Sequence, residues 1–475
     1  MTEELEAAPV PGSLPGRIEG QVLRVLLRPT DTAALAAFRL VFGLVMATSL
    51  GRFLYYGWVD ELFVTPRFRF KFWGFGWVEP LSSPWMHGLT WALLGLALCM
   101  AVGLFYRVTS ALFVLGLVYL QLIDVTNYLN HYVLACLLAG LFALMPVGRA
   151  HSVDAWLHPR RAVTHFPAWC TWLLRFQVGI VYFYAGVAKM NADWLLHAQP
   201  LNIWLAARTQ MPILGPLFGQ TWAAYAMSWA GCLFDTSIAF FLLSGRTRPF
   251  AYAVVVIFHA ATQALFPIGM FPTIMVTSAL VFFSPSWPRR LLRLAPREDV
   301  QGASVGSAQP APARRLALAL GCLFVLFQAV FPLRHRLVYG GNVLWHEQGM
   351  RLSWKVMLRE KNGSVTYRVV DRKSGRVREV NPRRWLTDRQ LRDFATQPDM
   401  VLQLAHAISE DHRARGQDVA VYADALVSLN GRPAEYLVDP GADLSRIEDG
   451  LGPAWWIRPA PTSAPLRLQM VSWAQ

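Results

Sequence analysis

The chain has 475 residues, of which 54% are hydrophobic and 16% are charged. A soluble domain carries roughly 25% charged residues, and here the hydrophobic residues form blocks of about 18 to 23, each long enough to cross a hydrocarbon core, so an ordinary soluble protein is excluded. The net charge of +14 favours arginine-rich cytoplasmic loops over nucleic acid binding, and the five cysteines have neither metal-ligand nor redox spacing.

The first 32 residues are predicted to form a cytoplasmic N-terminal segment (residues 1–32). They begin Met-Thr-Glu-Glu-Leu-Glu and lack the basic start, short apolar core and small-residue cleavage site of a signal peptide. The first apolar span is therefore expected to remain in the mature protein.

Nine apolar segments are predicted to span the membrane within a transmembrane domain at residues 33–334. Their approximate bounds are 33–55, 86–105, 108–126, 130–147, 169–190, 223–243, 249–266, 269–284 and 316–334. Pro267 and Pro272 interrupt the helical pattern between the seventh and eighth spans, where irregular backbone is tolerated only if it is buried or lines a cavity. The pattern predicts a polytopic α-helical membrane protein.

The distribution of arginine predicts the orientation of these spans. With the N-terminus in the cytoplasm, most arginines that flank the spans lie in cytoplasmic segments, whereas the outer loop 191–222 contains Arg208 alone. The outer loop 56–85 fits less well, because it is also basic. Residues 285–315 are expected to form a cytoplasmic linker, since 298–313 are rich in Ala, Ser, Gly, Gln and Pro.

Residues 335–475 are predicted to form a small extracytoplasmic domain of α+β or mainly β type. Thr366–Val370 and Val377–Val380 flank a Lys-Ser-Gly turn, which is typical of a β-hairpin. A second hairpin is predicted around Asn430-Gly431, and residues 388–413 have helical periodicity.

Several polar residues lie at the same predicted level, near the outer ends of their spans. Asn130 and His131 begin the fourth span. Lys189 ends the fifth span, and His259 lies in the outer half of the seventh. Ionisable residues inside a membrane are functional-site candidates by default. The sequence therefore predicts a polar pocket near the outer leaflet, covered by the extracytoplasmic domain.

Lys189 is unusual because the chain takes nearly all of its positive charge from arginine. Only five of its 44 Lys and Arg residues are lysine, and a desolvated lysine, unlike arginine, can lose its proton and act as a base. Gly179, Tyr182 and Gly186 share its helix face and allow a neighbouring helix to approach closely. The competing interpretation is a helix-end lysine that reaches the interface or pairs with Asp193.

Other ionisable residues have simpler structural interpretations. Arg39, Arg175 and Asp235 lie deeper in the predicted spans, where structural ion pairing is favoured. For His131 and His259, position alone favours a buried, hydrogen-bonded structural side chain over a functional one. The sequence contains no metal-binding cluster, phosphate-binding glycine loop or nucleophile elbow.

Short segments in both predicted domains form an ordered set over about residues 30–450. They are Leu35–Arg39, Phe75–Val78, Asn130–Tyr132, Val181–Lys189, Asp193-Trp194, Phe258-His259, Ile268–Phe271, Ser284–Arg289, Ser353–Met357 and Val427–Arg432. In these segments the chain resembles the vitamin K-dependent gamma-glutamyl carboxylase family, whose membrane part is the horizontally transferred transmembrane domain.

The resemblance implies γ-carboxylation of protein-bound glutamate, coupled to oxidation of vitamin K hydroquinone, or a related menaquinol, to its epoxide. O₂ and CO₂ are the implied co-substrates, and no metal is implied. In the family, the lysine that matches Lys189 deprotonates the quinol, and the histidine that matches His131 is functionally important. The candidate cofactor-binding residues are Tyr182, Asn130, His259, Met270 and Phe271. Trp354 and Arg359 are the candidates for binding the glutamate substrate.

The implied partners are membrane lipids, a glutamate-containing protein or peptide, and a quinone reductase that supplies the quinol. Arg359 stands where animal members of the family have a histidine, and the outer domain is shorter than theirs. These departures concern glutamate positioning more than quinol chemistry. The alternative function is a non-catalytic quinone- or lipid-binding membrane protein of the same fold.

Overall fold

Helices form at all nine predicted spans in the computed structural model, which describes residues 21–22, 24–294 and 311–466. They are α1 (Ala33–Tyr55), α2 (Ser83–Val102), α3 (Tyr106–Leu122), α4 (Asn130–Leu144), α5 (Trp169–Lys189), α6 (Thr221–Leu243), α7 (Arg248–Leu265), α8 (Phe271–Ser278) and α9 (Ala311–Val330). In this part of the chain five of them, α1, α2, α5, α6 and α9 with its following turn, are long and apolar enough to cross a membrane. The helices α3 and α4 are apolar but shorter, so nine complete spans are not confirmed.

Short elements connect these helices on both sides of the bundle. The short helices are Val153–Leu157, Ala192–His197, Leu201–Ala206, Gly215–Phe218, Trp287–Leu291 and Val343–His346. The strands β1 (Pro29–Asp31) and β2 (His165–Pro167) pair antiparallel before α1 and α5. The carboxylate of Asp31, at the end of β1, accepts a hydrogen bond of 2.9 Å from the backbone N–H of Ala33, the first residue of α1. This N–H has no partner within the helix, so the hydrogen bond stabilises the start of α1.

Two arginines, the buried Arg39 and the half-buried Arg175, join helix ends rather than forming the expected ion pairs. The Arg39 guanidinium donates to the carbonyls of Ala101 (3.2 Å) and Val147 (3.0 Å), near the ends of α2 and α4. Arg175 donates to the carbonyl of Val281 at 2.9 Å. Among the described residues neither makes a salt bridge, because carbonyls left free at helix ends already occupy their donors. The ion-pair prediction for Arg39 and Arg175 is therefore wrong.

The C-terminal domain is built on a four-stranded antiparallel sheet in the order β4-β3-β5-β6. Its strands are β3 (Lys361–Asp371), β4 (Val377–Val380), β5 (Val419–Leu429) and β6 (Glu435–Tyr436). Both predicted hairpins are confirmed, since β3 pairs with β4 and β5 pairs with β6.

Two helices, rather than the single helix predicted over 388–413, accompany this sheet. They are α10 (Asp388–Phe394) and α11 (Pro398–Arg413). The break falls at Pro398, since a proline begins a helix readily and continues one poorly. The buried faces of α11 and β5 pack together in one hydrophobic core, which includes Val401, Leu404 and Val421.

The membrane part docks on the C-terminal domain through the loop between α1 and α2. Phe70 is fully buried and stacks on Phe394 of α10 at 6.2 Å. Gln403 of α11 exchanges two hydrogen bonds with the backbone of Lys71 (2.8 and 3.0 Å). The loop thus contacts the C-terminal domain through the Phe70 side chain and the Lys71 backbone. These contacts fix the domain over the outer ends of the helices.

Parts of the predicted cytoplasmic segments lie outside the described residues. These are residues 1–20 and 23 of the N-terminal segment and residues 295–310 of the linker; residues 467–475 of the predicted extracytoplasmic domain also lie outside them.

Candidate functional site

Lys189 is buried and forms an ion pair with Asp235 of α6. Its Nζ donates to Oδ2 of Asp235 at 2.7 Å and to the carbonyl of Ala185 at 3.3 Å, and only 5% of the residue is exposed. The proposed pairing with Asp193 is wrong, because Asp193 turns toward the C-terminal domain and binds Arg432 instead. The ion pairing predicted for Asp235 is confirmed, with Lys189 as its partner.

A glycine allows α5 and α6 to approach closely enough for this pair. A Cβ atom at Gly186 would lie 2.7 Å from Cα of Thr236, which is the residue after Asp235. At Gly179, two turns earlier, the nearest atom would be the Cβ of Ala239 at an ordinary 3.6 Å. The close approach therefore depends on Gly186 and not equally on both glycines.

A narrow cavity of about 90 Å³ opens beside the ion pair and is called here the Lys189 cavity. Aromatic and aliphatic side chains form most of its wall, with five polar or ionisable residues among them: Tyr182, Lys189, Asp235, His259 and Thr262. Met227, Met275 and Met357 line it with flexible thioethers.

Two side chains of this cavity leave polar atoms free. The hydroxyl of Tyr182 is buried and has no hydrogen-bond partner among residues 21–22, 24–294 and 311–466. The ring of His259 packs edge-on to Tyr182 at 6.0 Å, and its Nδ1 lies 2.9 Å from the carbonyl of Val255. Since a carbonyl only accepts, Nδ1 carries the proton and Nε2 is left as an acceptor. A ligand here would meet both a free hydroxyl and a free ring nitrogen.

His131 lies in a second cavity, of about 350 Å³, which is called here the His131 cavity. Asn130, Met270 and Arg52 also line it. The two cavities share four wall residues, which are Ile268, Phe271, Val356 and Met357. The ring of His131 is 6.2 Å from that of Phe271. The predicted single pocket is therefore two adjacent cavities, with Phe271 between their ionisable groups.

The segment 347–357, called here the roof loop, covers both cavities. Four of its non-glycine residues have left-handed backbone, with φ of 58° at Glu347, 61° at Leu352, 56° at Trp354 and 51° at Met357. Such residues cost roughly 1–2 kcal/mol each and persist where the surroundings enforce them. Here Val356 and Met357 face the two cavities.

The start of α4 holds the roof loop in place. The Asn130 amide donates to the carbonyl of Lys355 at 3.2 Å and accepts from the hydroxyl of Tyr128 at 2.9 Å. That hydroxyl in turn accepts from the backbone N–H of Leu352 at 2.7 Å. Asn130 therefore connects the His131 cavity to its cover.

Trp354 and Arg359, the predicted substrate-binding residues, line neither cavity. Trp354 is only 1% exposed, and its indole N–H has no hydrogen-bond partner in the described part of the chain. Arg359 is partly buried against the carboxylate of Glu347, which also accepts from Lys361 at 2.8 Å. Burial is the main cause that lowers the pKa of Arg359, to about 10. The structure thus separates these two residues from Lys189 and His131.

Two residues that line these cavities, Arg52 and Met357, are not predicted from the sequence. Arg52 ends α1 and lines the His131 cavity, and its position at the outer end of a span goes against the usual cytoplasmic placement of arginine, which was an available signal. Met357 had no such signal, because its position depends on the left-handed turns of the roof loop.

Comparison with known families covers both parts of the molecule. Residues 27–287 match the family model of the HTTM domain, and residues 313–463 match that of the vitamin K-dependent gamma-carboxylase lumenal domain. The first match contains Lys189, His131 and Asp235, and the second contains the roof loop. No solved structure matches the chain. The two cavities therefore lie where the two matched regions meet.

Proposed function

Because the chain belongs to the vitamin K-dependent gamma-carboxylase family and is an integral membrane protein with a lumenal C-terminal domain, we propose that it γ-carboxylates protein-bound glutamate. The reaction is coupled to oxidation of vitamin K hydroquinone or a related menaquinol to its epoxide, with O₂ and CO₂ as co-substrates. The N-terminus lies in the cytoplasm, and a quinone reductase supplies the quinol. The observation that carries this proposal is the buried amine of Lys189 in an apolar cavity.

The chemistry of the Lys189 cavity suits a quinol. Its apolar wall fits a flat hydrocarbon ring system, and the free hydroxyl of Tyr182 and ring nitrogen of His259 offer hydrogen bonds to ring oxygens. A fused two-ring quinol needs more room than about 90 Å³, so Met227, Met275 and Met357 must change rotamer when it binds. Phe271 lines both cavities, whereas Met270 and Asn130 line only the neighbouring His131 cavity.

Lys189 is assigned as the base that takes a proton from a quinol hydroxyl at Nζ. An ammonium has no lone pair, so the amine must first be neutral. The Asp235 carboxylate, 2.7 Å from Nζ, is the group to which that proton can move. In a membrane-buried site the charged pair loses much of its advantage over the neutral pair, because both ions are desolvated. Asp235 therefore holds the proton while Lys189 accepts another.

The bound quinol supplies, on oxidation, the base strength that a glutamate γ-proton requires and that no side chain has. The chain's own contribution beyond Lys189 is to keep the site dry. Phe258, Phe266 and Phe271 line the Lys189 cavity, and the roof loop closes it from the lumenal side. Exclusion of water protects a strongly basic species from being quenched. His131 lies one wall away, at the lumenal end of α4, where the glutamate arrives.

A non-catalytic quinone- or lipid-binding protein of the same fold is the second candidate. Two observations favour it: Trp354 and Arg359 line neither cavity, and Glu347 neutralises Arg359. In that case the quinol site is retained and the glutamate site is lost.

The two candidates are separated by an assay that follows both products. Purified protein in lipid receives reduced vitamin K, O₂, labelled bicarbonate and a glutamate-rich peptide, and epoxide and peptide label are measured together. We expect both products from the wild type and from the control Lys373→Ala, which changes an exposed turn lysine. Lys189→Ala should form neither. Epoxide without label would indicate that only the quinol half is intact. If the wild type forms neither product under conditions in which a known carboxylase works, the result would support the non-catalytic binding protein.

A further inference from the structure

The His131 cavity contains a cation that no carboxylate in the described part of the chain neutralises. This cation is Arg52, in the last turn of α1. Its guanidinium lies over the rings of Trp58 (5.3 Å) and Tyr56 (5.8 Å), and it makes no hydrogen bond or salt bridge to the residues that the structure describes. Stacking fixes the orientation of a guanidinium and leaves its five donors free.

Three other cations in this part of the molecule are already paired, and Lys355 of the roof loop, which makes no salt bridge with the described residues, lines neither cavity. Lys189 binds Asp235, and Arg359 and Lys361 share the carboxylate of Glu347. Arg52 is the only lysine or arginine lining the His131 cavity within the described residues. An anion that enters this cavity therefore meets an unpaired guanidinium.

The neighbours of Arg52 favour a small planar anion. The Asn130 amide already donates to the roof loop. The ring of His131, in contrast, makes no hydrogen bond within the described residues, so its nitrogens are available to a ligand. A carboxylate pairs with a guanidinium through two parallel hydrogen bonds, and such bonds strengthen in a partly desolvated site. The ring nitrogens of His131 remain for a third contact.

We propose that Arg52 binds the γ-carboxylate of the substrate glutamate in the His131 cavity. This inference rests on the proposed function. The γ-proton goes to the base that oxidation of the quinol supplies, so the C–H bond breaks and its electron pair stays on the γ-carbon. That pair spreads into the carboxylate and then forms the new C–C bond to CO₂. The carboxylate thus carries extra negative charge before CO₂ is captured, and a fixed guanidinium stabilises that charge. The wall that separates this position from the Lys189 cavity consists of the four shared residues, Ile268, Phe271, Val356 and Met357.

The test compares Arg52→Gln and Arg52→Lys with Arg67→Gln, which removes an exposed charge from the loop that follows α1. For Arg52→Gln we expect the KM for a glutamate peptide to rise roughly 10- to 100-fold, the range of a charge-assisted contact. The ratio of peptide label to epoxide should also fall, because quinol oxidation does not use the glutamate carboxylate. Arg52→Lys should be intermediate, and Arg67→Gln should match the wild type.

Direct peptide binding tests the same site without turnover. The wild type should bind the glutamate peptide more tightly than its glutamine counterpart, and Arg52→Gln should bind both equally. A wild type that makes neither product but keeps this preference would reject the proposed function and retain the carboxylate site. Unchanged KM and unchanged preference in Arg52→Gln would overturn the site. Loss of co-purified anionic phospholipid in that variant, with unchanged KM, would assign Arg52 to a lipid phosphate instead.

Discussion

At the scale of single residues, buried cations are held in two different ways. Lys189 has a carboxylate partner in Asp235, whereas Lys355 in the roof loop is 9% exposed and makes no salt bridge with the described residues. Burial, and then the positive charge of Arg336, lowers the pKa of Lys355 to about 8. The roof loop thus carries a charge at neutral pH that its surroundings disfavour.

Lys355 gives a pH-dependent prediction for stability. Its unfolded pKa is about 10.4, so the folded protein is penalised below about pH 8 and recovers as the pH rises from there toward 10.4. Lys355→Met should therefore raise the melting temperature by roughly 2–4 °C at pH 7, and this gain should shrink at pH 10. Thermal unfolding in detergent measures it, with Lys373→Met as the exposed control. A gain of equal size at both pH values would show that packing, rather than charge, is responsible.

The sequence alone predicts only some of the residues of the candidate site. Lys189, His131 and His259 are recognisable because ionisable side chains are rare inside apolar spans. The partner of Lys189 is not recognisable from the sequence, because Asp235 lies 46 residues away and its position depends on how α5 packs on α6. The same limit explains why Arg39 and Arg175 bind helix-end carbonyls instead of the expected carboxylates.

At the scale of elements, the approach of α5 to α6 sets the geometry of the ion pair. Gly186→Ala would place a methyl group 2.5 Å from the backbone nitrogen of Thr236, so the two helices must move apart and Asp235 must move with them. We expect loss of epoxide formation and a destabilisation of roughly 1–3 kcal/mol.

Gly179→Ala is the matched control for that variant, because it adds the same atom to the same helix face at an ordinary 3.6 Å. It should keep epoxide formation close to that of the wild type. Equal effects of the two substitutions, measured by epoxide formation and thermal unfolding, would mean that helix flexibility matters here rather than close packing.

Element positions are more predictable than element ends. Apolar periodicity locates all nine helices and both hairpins, since each needs a continuous buried face. It does not separate spans that cross the membrane fully from shorter ones such as α4. The roof loop was not predictable, because its left-handed residues include Trp354 and Met357, which local preference would not place there.

At the scale of the whole molecule, an ion pair joins the lumenal domain to the short helix Ala192–His197 that follows α5. Arg432 donates to both carboxylate oxygens of Asp193 (2.6 and 2.7 Å), and Asn430 donates to one of them at 2.8 Å. Burial acts to raise the pKa of Asp193, but the hydrogen bonds from Arg432 and Asn430 outweigh it and lower the pKa. The contact therefore stabilises the docked domain above the normal aspartate pKa and weakens as the pH falls through the lowered one.

Arg432→Gln should loosen this docking, since it leaves the Asp193 carboxylate buried with Asn430 alone. Removing one partner of a buried pair costs roughly 3–5 kcal/mol, so we expect a lower melting temperature and faster proteolysis between the two domains at pH 7. The difference in melting temperature between this variant and the wild type should become smaller below about pH 4, where the Asp193 carboxylate begins to be protonated. Arg446→Gln is the control, because Arg446 is exposed and 3.8 Å from its partner Asp443. Equal proteolysis of both variants would assign the docking to the apolar contacts of Phe70.

The central claim, that the neutral amine of Lys189 is the base of the quinol site, is tested most directly by chemical rescue of Lys189→Ala. Epoxide formation is measured with small primary amines added at several pH values. The variant alone should form no epoxide, and the restored rate should follow the concentration of neutral amine, with no restoration by a quaternary ammonium ion of similar size. Epoxide formation at the wild-type rate without added amine would contradict the assignment of Lys189.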